Sequence, residues 1–136
     1  NNLPTDVAIF SAAVSDFKIK EQKKEKIKKK DYFNLNLEKN VDILNYVSNH
    51  NSMRPKLVVG FAAETNNLEE NAIKKLKDKN CDMIIANDVS NKNIGFDSDN
   101  NEVTIFYRNN EKEKLLLKNK SLISEEIVKR VNNQLN

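Results

Sequence analysis

Glycine is scarce in this sequence: only Gly60 and Gly95 occur among 136 residues. A loop that holds a phosphate group with backbone amides usually needs several glycines just before a helix. The sequence contains no such glycine-rich loop. If the protein handles a nucleotide, part of the binding site therefore has to come from elsewhere.

Cysteine and histidine are rarer still, with Cys81 and His50 the only examples. An internal disulfide is impossible, so we expect an intracellular, reducing location. A structural zinc site is excluded because it needs about four such ligands. Cys81 directly precedes an apolar run, and we interpret it as a packing residue because a nucleophilic thiol needs an activating base, whereas His50 lies in a helix-end context.

Long apolar segments are also missing. The longest apolar runs fall far short of the roughly 20 residues of a membrane span, and no signal-peptide pattern opens the chain. We therefore expect a cytoplasmic protein without a membrane partner. The sequence is 38% apolar and 32% charged, which suits one domain with a single core. Its net charge of +3 does not by itself indicate a nucleic-acid partner.

Three apolar runs end alike, in small residues followed by an acidic residue. They span residues 6–16, 57–65 and 82–90. Continuous apolar runs are typical of strands that are covered on both faces of a parallel sheet. Such sheets bind ligands at the carboxyl ends of their strands. We therefore predict one shared crevice, with the strand in residues 57–65 at the centre of the sheet.

The remaining pattern predicts a single α/β domain: a Rossmann-like, mostly parallel sheet flanked by helices, with an antiparallel extension at one edge. Helical spacing predicts helices near residues 41–49, 68–79 and 121–133, and a hairpin is predicted between the last two. The expected N-caps are Asn40 or Asp42, Asn66 or Asn67, and Ser121. The side chains expected to face inward include Ile43, Leu44, Val47, Leu68, Ala72, Ile73, Leu76, Leu122, Ile123, Ile127, Val128 and Val131.

A lysine-rich segment follows the first strand. Residues 16–31 contain too few aliphatic side chains to bury a face, so we predict a mobile flap or extended arm. Residues 32–38 alternate apolar and polar side chains, which predicts a half-buried strand that pairs with this arm. Lys26, Lys28 and Lys29 suit closure over a triphosphate, because ammonium groups offset charge that develops in nucleotidyl transfer. A solvated basic loop is the alternative interpretation.

Two aspartates lie just past predicted strands. Asp16 and Asp88 are candidates for binding Mg²⁺ through water molecules or for holding a ribose hydroxyl. A role as helix cap or turn former fits them equally well. Glu64 has a similar ambiguity, although Ala62 and Ala63 before it leave room for a flat ring beside the backbone.

Five blocks of the sequence together resemble one protein family. They are Ser11-Ala-Ala-Val-Ser-Asp16, Lys26-Ile-Lys-Lys29, Gly60-Phe-Ala-Ala-Glu-Thr65, Ala86-Asn-Asp-Val-Ser90 and Gly95-Phe-Asp-Ser-Asp-Asn-Asn101. In order and spacing these blocks are similar to the phosphopantothenoylcysteine synthetase domain of coenzyme A biosynthesis. Family members begin with a strand and a glycine-rich phosphate loop, so the chain resembles the C-terminal part of the domain.

The resemblance implies a CTP-dependent ligase. The carboxylate of 4′-phosphopantothenate attacks the α-phosphate of CTP, pyrophosphate leaves, and the amine of cysteine then displaces CMP. Mg²⁺ assists, and the enzyme is a homodimer. In many bacteria the domain is fused behind a flavin-dependent decarboxylase.

The resemblance also implies roles for individual residues. Lys26 is the catalytic lysine of a mobile motif that closes over the nucleotide, with Lys28 and Lys29 in the same flap. Ala13, Phe61 and Ala62 lie against the base, where backbone groups read cytosine, and Asp16 faces the ribose or the metal. Two alternatives stay open: a nucleic-acid-binding module that uses the lysine arm, and an inactive dimerisation fragment. Phe17 is the only aromatic residue of the arm, which makes nucleic acid the less favoured partner.

Overall fold

A computed structural model of the protein describes residues 3–21, 25–26, 34–90 and 98–136. The main sheet has five strands: β1 (Val7–Phe10), β4 (Leu57–Glu64), β5 (Met83–Asp88), β6 (Asn100–Tyr107) and β7 (Lys112–Asn119). A smaller sheet pairs β2 (Phe17–Ile19) with β3 (Leu37–Lys39). The helices are α1 (Ile43–Ser48), α2 (Leu68–Asp78) and α3 (Lys120–Leu135). None of the helices in these ranges is long and apolar enough to cross a membrane.

The strands of the main sheet lie in the order β1–β4–β5–β6–β7. β4 pairs in parallel with both β1 and β5, whereas β5–β6 and β6–β7 are antiparallel. The predicted α/β fold with an antiparallel extension at one edge is therefore confirmed. The middle strand, however, is β5 and not β4. An apolar run shows that a strand is buried, but it does not give its rank in the sheet.

The core lies on both faces of the sheet. On one face, α3 packs Ile123, Ile127 and Val131 against strand residues that include Val59 and Ile85. On the other face, α2 packs Ala72 and Leu76 against a set that includes Val58, Ile84 and Phe106. Alternate residues of a strand point to opposite faces, so a strand covered on both faces is apolar throughout.

The helix starts agree only in part with the predicted caps. The Asp42 carboxylate accepts a hydrogen bond of 2.8 Å from the amide of Asn45, which confirms it as the N-cap of α1. Asn67 precedes α2 in a left-handed conformation (φ 46°), and its side chain makes no capping hydrogen bond. The prediction of Ser121 as a cap is wrong: Asn119 accepts from the Ser121 amide at 2.9 Å. β7 runs directly into α3, so its last residue serves as the cap.

Some expected core residues are exposed. Ile43, Leu122 and Val128 each expose about half of their surface, because only one face of each helix packs against the rest of the domain.

The predicted pairing of the arm is confirmed in β2 and β3. Leu35 and Leu37, expected to be half buried, are 55% and 56% exposed. Residues 22–24 and 27–33, which include half of the predicted flap, lie outside the described residues.

Gly60 allows α1 to approach the sheet closely. A Cβ atom at this position would lie 2.8 Å from Cδ1 of Ile84 and 3.2 Å from Cδ2 of Leu44. We expect Gly60→Ala to lower the free energy of unfolding by about 1–3 kcal/mol, because the methyl group overpacks a closed core. Urea denaturation followed by circular dichroism measures this loss.

A second substitution tests the cause of that loss. Ile84→Val removes the Cδ1 atom that the new methyl group would meet, so it should recover part of the lost stability in the Gly60→Ala background. An unchanged denaturation midpoint in Gly60→Ala would contradict the proposed close approach.

Candidate functional site

A pocket of about 630 Å³ opens at the carboxyl ends of β1 and β4. The pairing of these strands stops at Phe10 and Gly60, while β4 continues alongside β5 to Glu64. The chain after β1 therefore turns away from β4 and leaves a space between them. Asn40 holds the loop after β1 in place. Its backbone amide donates to the carbonyl of Asp16, and its side-chain amide donates to the carbonyl of Ser15.

Four of the predicted site residues line this pocket together. Ala13 and Asp16 come from the loop after β1, and Phe61 and Ala62 from the end of β4. Ala62 is buried, whereas Ala13 and Asp16 are exposed to the pocket opening. Two segments that are far apart in the sequence thus meet at the predicted edge of the sheet.

The lysines of the predicted flap are not among the described residues that line the pocket. Lys26 is exposed and is not among the described residues that line the pocket. Lys28 and Lys29 fall outside the described residues. The closure of Lys26 over a bound nucleotide therefore stays a prediction.

Two acidic residues near the pocket have structural partners. The Asp88 carboxylate accepts hydrogen bonds from the hydroxyl (2.6 Å) and the amide (2.9 Å) of Ser90, and these lower the pKa of Asp88. This geometry fits the turn-forming interpretation of Asp88. The Glu64 carboxylate accepts a hydrogen bond of 2.8 Å from Asn71, which ties the end of β4 to α2.

Lys75 of α2 and Lys79, the C-cap of that helix, line the pocket, and the sequence analysis missed both. Nζ of Lys75 donates to the carbonyl oxygen of Phe61 at 2.7 Å, and Nζ of Lys79 lies 2.6 Å from a carboxylate oxygen of Asp42. The residues are four apart, so they share one face of the helix. This spacing is the one trace of them in the sequence, and it is shared by many solvated helix faces. They provide positive charge where the sheet edge opens.

The pair formed by Asp42 and Lys79 connects the start of α1 to the end of α2. Burial acts to raise the pKa of Asp42, but hydrogen bonds from the Asn45 amide and from Lys79 outweigh it, and the net pKa is lowered. The same hydrogen bond raises the pKa of Lys79. Both groups are therefore charged at neutral pH.

The described residues contain no group of three or more His, Cys, Asp or Glu side chains that could hold a metal ion. Asp16 is exposed at the pocket, and Asp42 is engaged by Lys79. A single available carboxylate fits Mg²⁺ that keeps several water molecules and is held mainly by substrate phosphates. It does not fit a site built from protein ligands alone. Asp16 as a metal-binding residue stays a prediction.

Cys81 has no part in this pocket. It is 1% exposed, and burial, followed by the nearby Asp82 charge, raises the pKa of its thiol to about 11. The thiol is therefore protonated at neutral pH and unsuited to nucleophilic attack. This agrees with the interpretation of Cys81 as a packing residue.

Comparisons with known proteins identify what the chain is similar to. The family described as DNA/pantothenate metabolism flavoprotein C-terminal domain matches residues 1–135. The coenzyme A biosynthesis bifunctional protein CoaBC of Bacillus subtilis is 41% identical over 128 residues, which are 93% of this chain and 31% of that protein. CoaBC of Escherichia coli K12 is 43% identical over 124 residues, 88% of this chain and 30% of that protein. The chain thus spans about a third of these relatives.

Two solved structures have a similar fold. The crystal structure of the C-terminal domain of CoaBC superimposes with a TM-score of 0.71 and 36% identity, covering 96% of this chain and 55% of that one. The DNA/pantothenate metabolism flavoprotein from Streptococcus pneumoniae gives a TM-score of 0.67 at 21% identity, covering 96% and 62%. The second likeness concerns the fold alone.

Proposed function

Because the chain belongs to the family of DNA/pantothenate metabolism flavoprotein C-terminal domains, we propose that it carries the ligase step of coenzyme A biosynthesis. In this step 4′-phosphopantothenate and cysteine are joined at the expense of CTP. The observation that carries the proposal is the pocket at the ends of β1 and β4. Ala13, Asp16, Phe61 and Ala62 line it together, and Lys75 and Lys79 add two positive charges.

The proposed reaction has two steps. The carboxylate of 4′-phosphopantothenate attacks the α-phosphorus of CTP, and the bond to pyrophosphate breaks. The amine of cysteine then attacks the acyl carbon of the acyl-cytidylate, loses a proton and displaces CMP. Negative charge develops on phosphate oxygens in the first step, so nearby ammonium groups lower its barrier.

The residues of the pocket have distinct roles in this proposal. The base lies against Ala13, Phe61 and Ala62, where the small side chains of the two alanines leave the backbone accessible. Lys75 and Lys79 contact phosphate oxygens, since both side chains line the pocket. Lys26, together with Lys28 and Lys29, approaches from outside. Mg²⁺ supplies further neutralisation of the phosphates when bound, and Asp16 is the residue that would hold it.

The proposal extends to the assembly of the protein. The small sheet of β2 and β3 exposes Phe17, Ile19 and Leu37, and Leu35 beside it is exposed too. These exposed apolar side chains support the homodimer that the family resemblance implies, in which a second copy of the chain would cover them. The bifunctional relatives, of which the chain spans about a third, support a flavin-dependent decarboxylase domain in the same polypeptide. We propose the cytoplasm as the location.

Nucleotide binding is the direct test of this function. Calorimetric titration with CTP and Mg²⁺ is expected to show saturable binding that is tighter than with ATP, because the family resemblance implies that backbone groups of the pocket read cytosine. Lys75→Gln should weaken CTP binding by about tenfold or more, since hydrogen bonds to charged groups contribute roughly 1.5–3 kcal/mol.

Lys77→Gln is the matched control for that variant. Lys77 lies on the same helix but lines a different surface groove, so its replacement should leave CTP affinity unchanged. Equal binding of CTP and ATP, or no nucleotide binding, would contradict the proposal and favour a nucleic-acid module or a dimerisation scaffold. Steep salt dependence of binding to nucleic acid would distinguish the first of these.

A further inference from the structure

The pocket already contains an anion of the protein itself. Asp42 is the N-cap of α1 and lines the pocket, and its carboxylate lies 2.6 Å from Nζ of Lys79. The two residues are 37 positions apart in the sequence. The contact is therefore made by the fold and is not a local feature of one helix.

The charged side chains that line the pocket balance one another. Two carboxylates, Asp16 and Asp42, face two ammonium groups, Lys75 and Lys79. Of the two ammonium groups, Lys75 is bound to the neutral carbonyl of Phe61, and Lys79 is bound to a carboxylate. A pocket without net charge attracts a polyanion weakly. In addition, Asp42 has to release Lys79 before both lysines can contact phosphate.

We propose that Asp42 is a competing internal anion that occupies Lys79 until a polyphosphate group displaces it, and that Asp42 thereby limits the affinity of the pocket for the triphosphate. The inference rests on the proposed function, since a nucleoside triphosphate is the ligand of this pocket. It assigns to Asp42 a role in setting affinity that is separate from its role in starting α1.

The exposure of the pair allows such an exchange. The side chains of Lys79 and Asp42 are 34% and 44% exposed, so water can solvate Asp42 when it loses its partner. An ion pair of this exposure is a weak interaction. After displacement, Asp42 keeps the hydrogen bond from the Asn45 amide at 2.8 Å, so α1 retains its cap. A polyphosphate with several charges can outcompete one carboxylate.

Asp42→Asn separates the two roles of this residue. Asparagine caps helices about as well as aspartate, so α1 should remain intact, whereas the charge that competes for Lys79 is removed. The probe is inorganic tripolyphosphate in a buffer without Mg²⁺, titrated calorimetrically into the complete chain. We expect Asp42→Asn to bind it about two- to fivefold more tightly than the wild type, which corresponds to the strength of an exposed ion pair.

Two further variants complete the test. Lys79→Gln should weaken tripolyphosphate binding, and Asp42→Asn should give no gain in the Lys79→Gln background, because the competition no longer exists. Circular dichroism and a thermal unfolding curve of Asp42→Asn check that α1 and the fold are retained. An equal gain in both backgrounds would indicate a general charge effect and overturn the proposal.

The outcomes also separate this inference from the proposed function. Unchanged or weaker tripolyphosphate binding in Asp42→Asn, or no tripolyphosphate binding by any variant, would overturn the role of Asp42 even if CTP still binds in preference to ATP. Tighter tripolyphosphate binding in Asp42→Asn without preference for CTP over ATP would retain the role of Asp42 and overturn the choice of nucleotide.

Discussion

Replacing Asp82 with alanine is expected to lower the free energy of unfolding by about 3 kcal/mol. The Asp82 side chain is only 18% exposed and lies 2.9 Å from Nη2 of Arg54 and 3.2 Å from Nε of Arg108. It also accepts a hydrogen bond of 2.8 Å from the amide of the fully buried Val58. Alanine would leave this amide and the Arg54 guanidinium without their carboxylate, and neither group could readily regain water.

Asp82 matters because it connects several elements at the edge of the sheet opposite the pocket. Arg54 also donates to the carbonyls of Ser48 and Asn80, and Arg108 donates to those of Asn80 and Cys81. The carboxylate thus holds the end of α1, the starts of β4 and β5 and the end of β6 in one arrangement. Loss of this carboxylate should therefore destabilise the whole domain and not one loop alone.

Urea denaturation of Asp82→Ala measures this effect. The control is Asp6→Ala, which removes an ion pair with Lys56 whose side chains are 74% and 78% exposed and should leave the midpoint essentially unchanged. Asp82→Asn should lie between the two, because an amide oxygen can still accept from Val58. If Asp82→Ala and Asp6→Ala have the same stability, the network does not contribute as described.

Replacing Lys26 with glutamine is expected to reduce turnover by about a hundredfold or more, the usual scale for losing a group that stabilises developing charge. Turnover is measured as pyrophosphate released from CTP in the presence of Mg²⁺, 4′-phosphopantothenate and cysteine. Lys26 is exposed, so the substitution should leave the unfolding midpoint unchanged. CTP affinity should fall much less than turnover, because the proposed contact is strongest in the transition state.

Lys20→Gln is the matched control for Lys26→Gln. Lys20 is an exposed lysine just after β2, in the same lysine-rich segment. If the general positive charge of this segment were responsible, both variants would lose turnover alike. Normal turnover in Lys26→Gln would contradict the catalytic role that the family resemblance implies for this lysine.

Much of the fold could be predicted because burial leaves a periodic signal in the sequence. β4 and β5 are apolar along most of their length because both of their faces are covered. The apolar stripe on one side of α2 indicates the side that packs against the sheet. The limits of that signal are equally physical. Leu35 and Leu37 alternate as a half-buried strand should, yet they are exposed in the single chain, because alternation marks an apolar face without saying what covers it. Val128 is an example in a helix: its spacing predicts an inward-facing side chain, but in the structure it is largely exposed.

The sequence by itself determined the α/β class, the approximate positions of the main helices and strands, and the sheet edge at which the pocket lies. Its resemblance to the family implied Ala13, Asp16, Phe61 and Ala62 as the residues there. The burial of β4 and β5 could be predicted because a strand that is covered on both faces is apolar along its length. Only the tertiary structure decided that Lys75 and Lys79 line the same pocket and that Asp42 lies against Lys79. A lysine four residues from another looks like any solvated helix face, and its meaning depends on where the helix crosses the sheet.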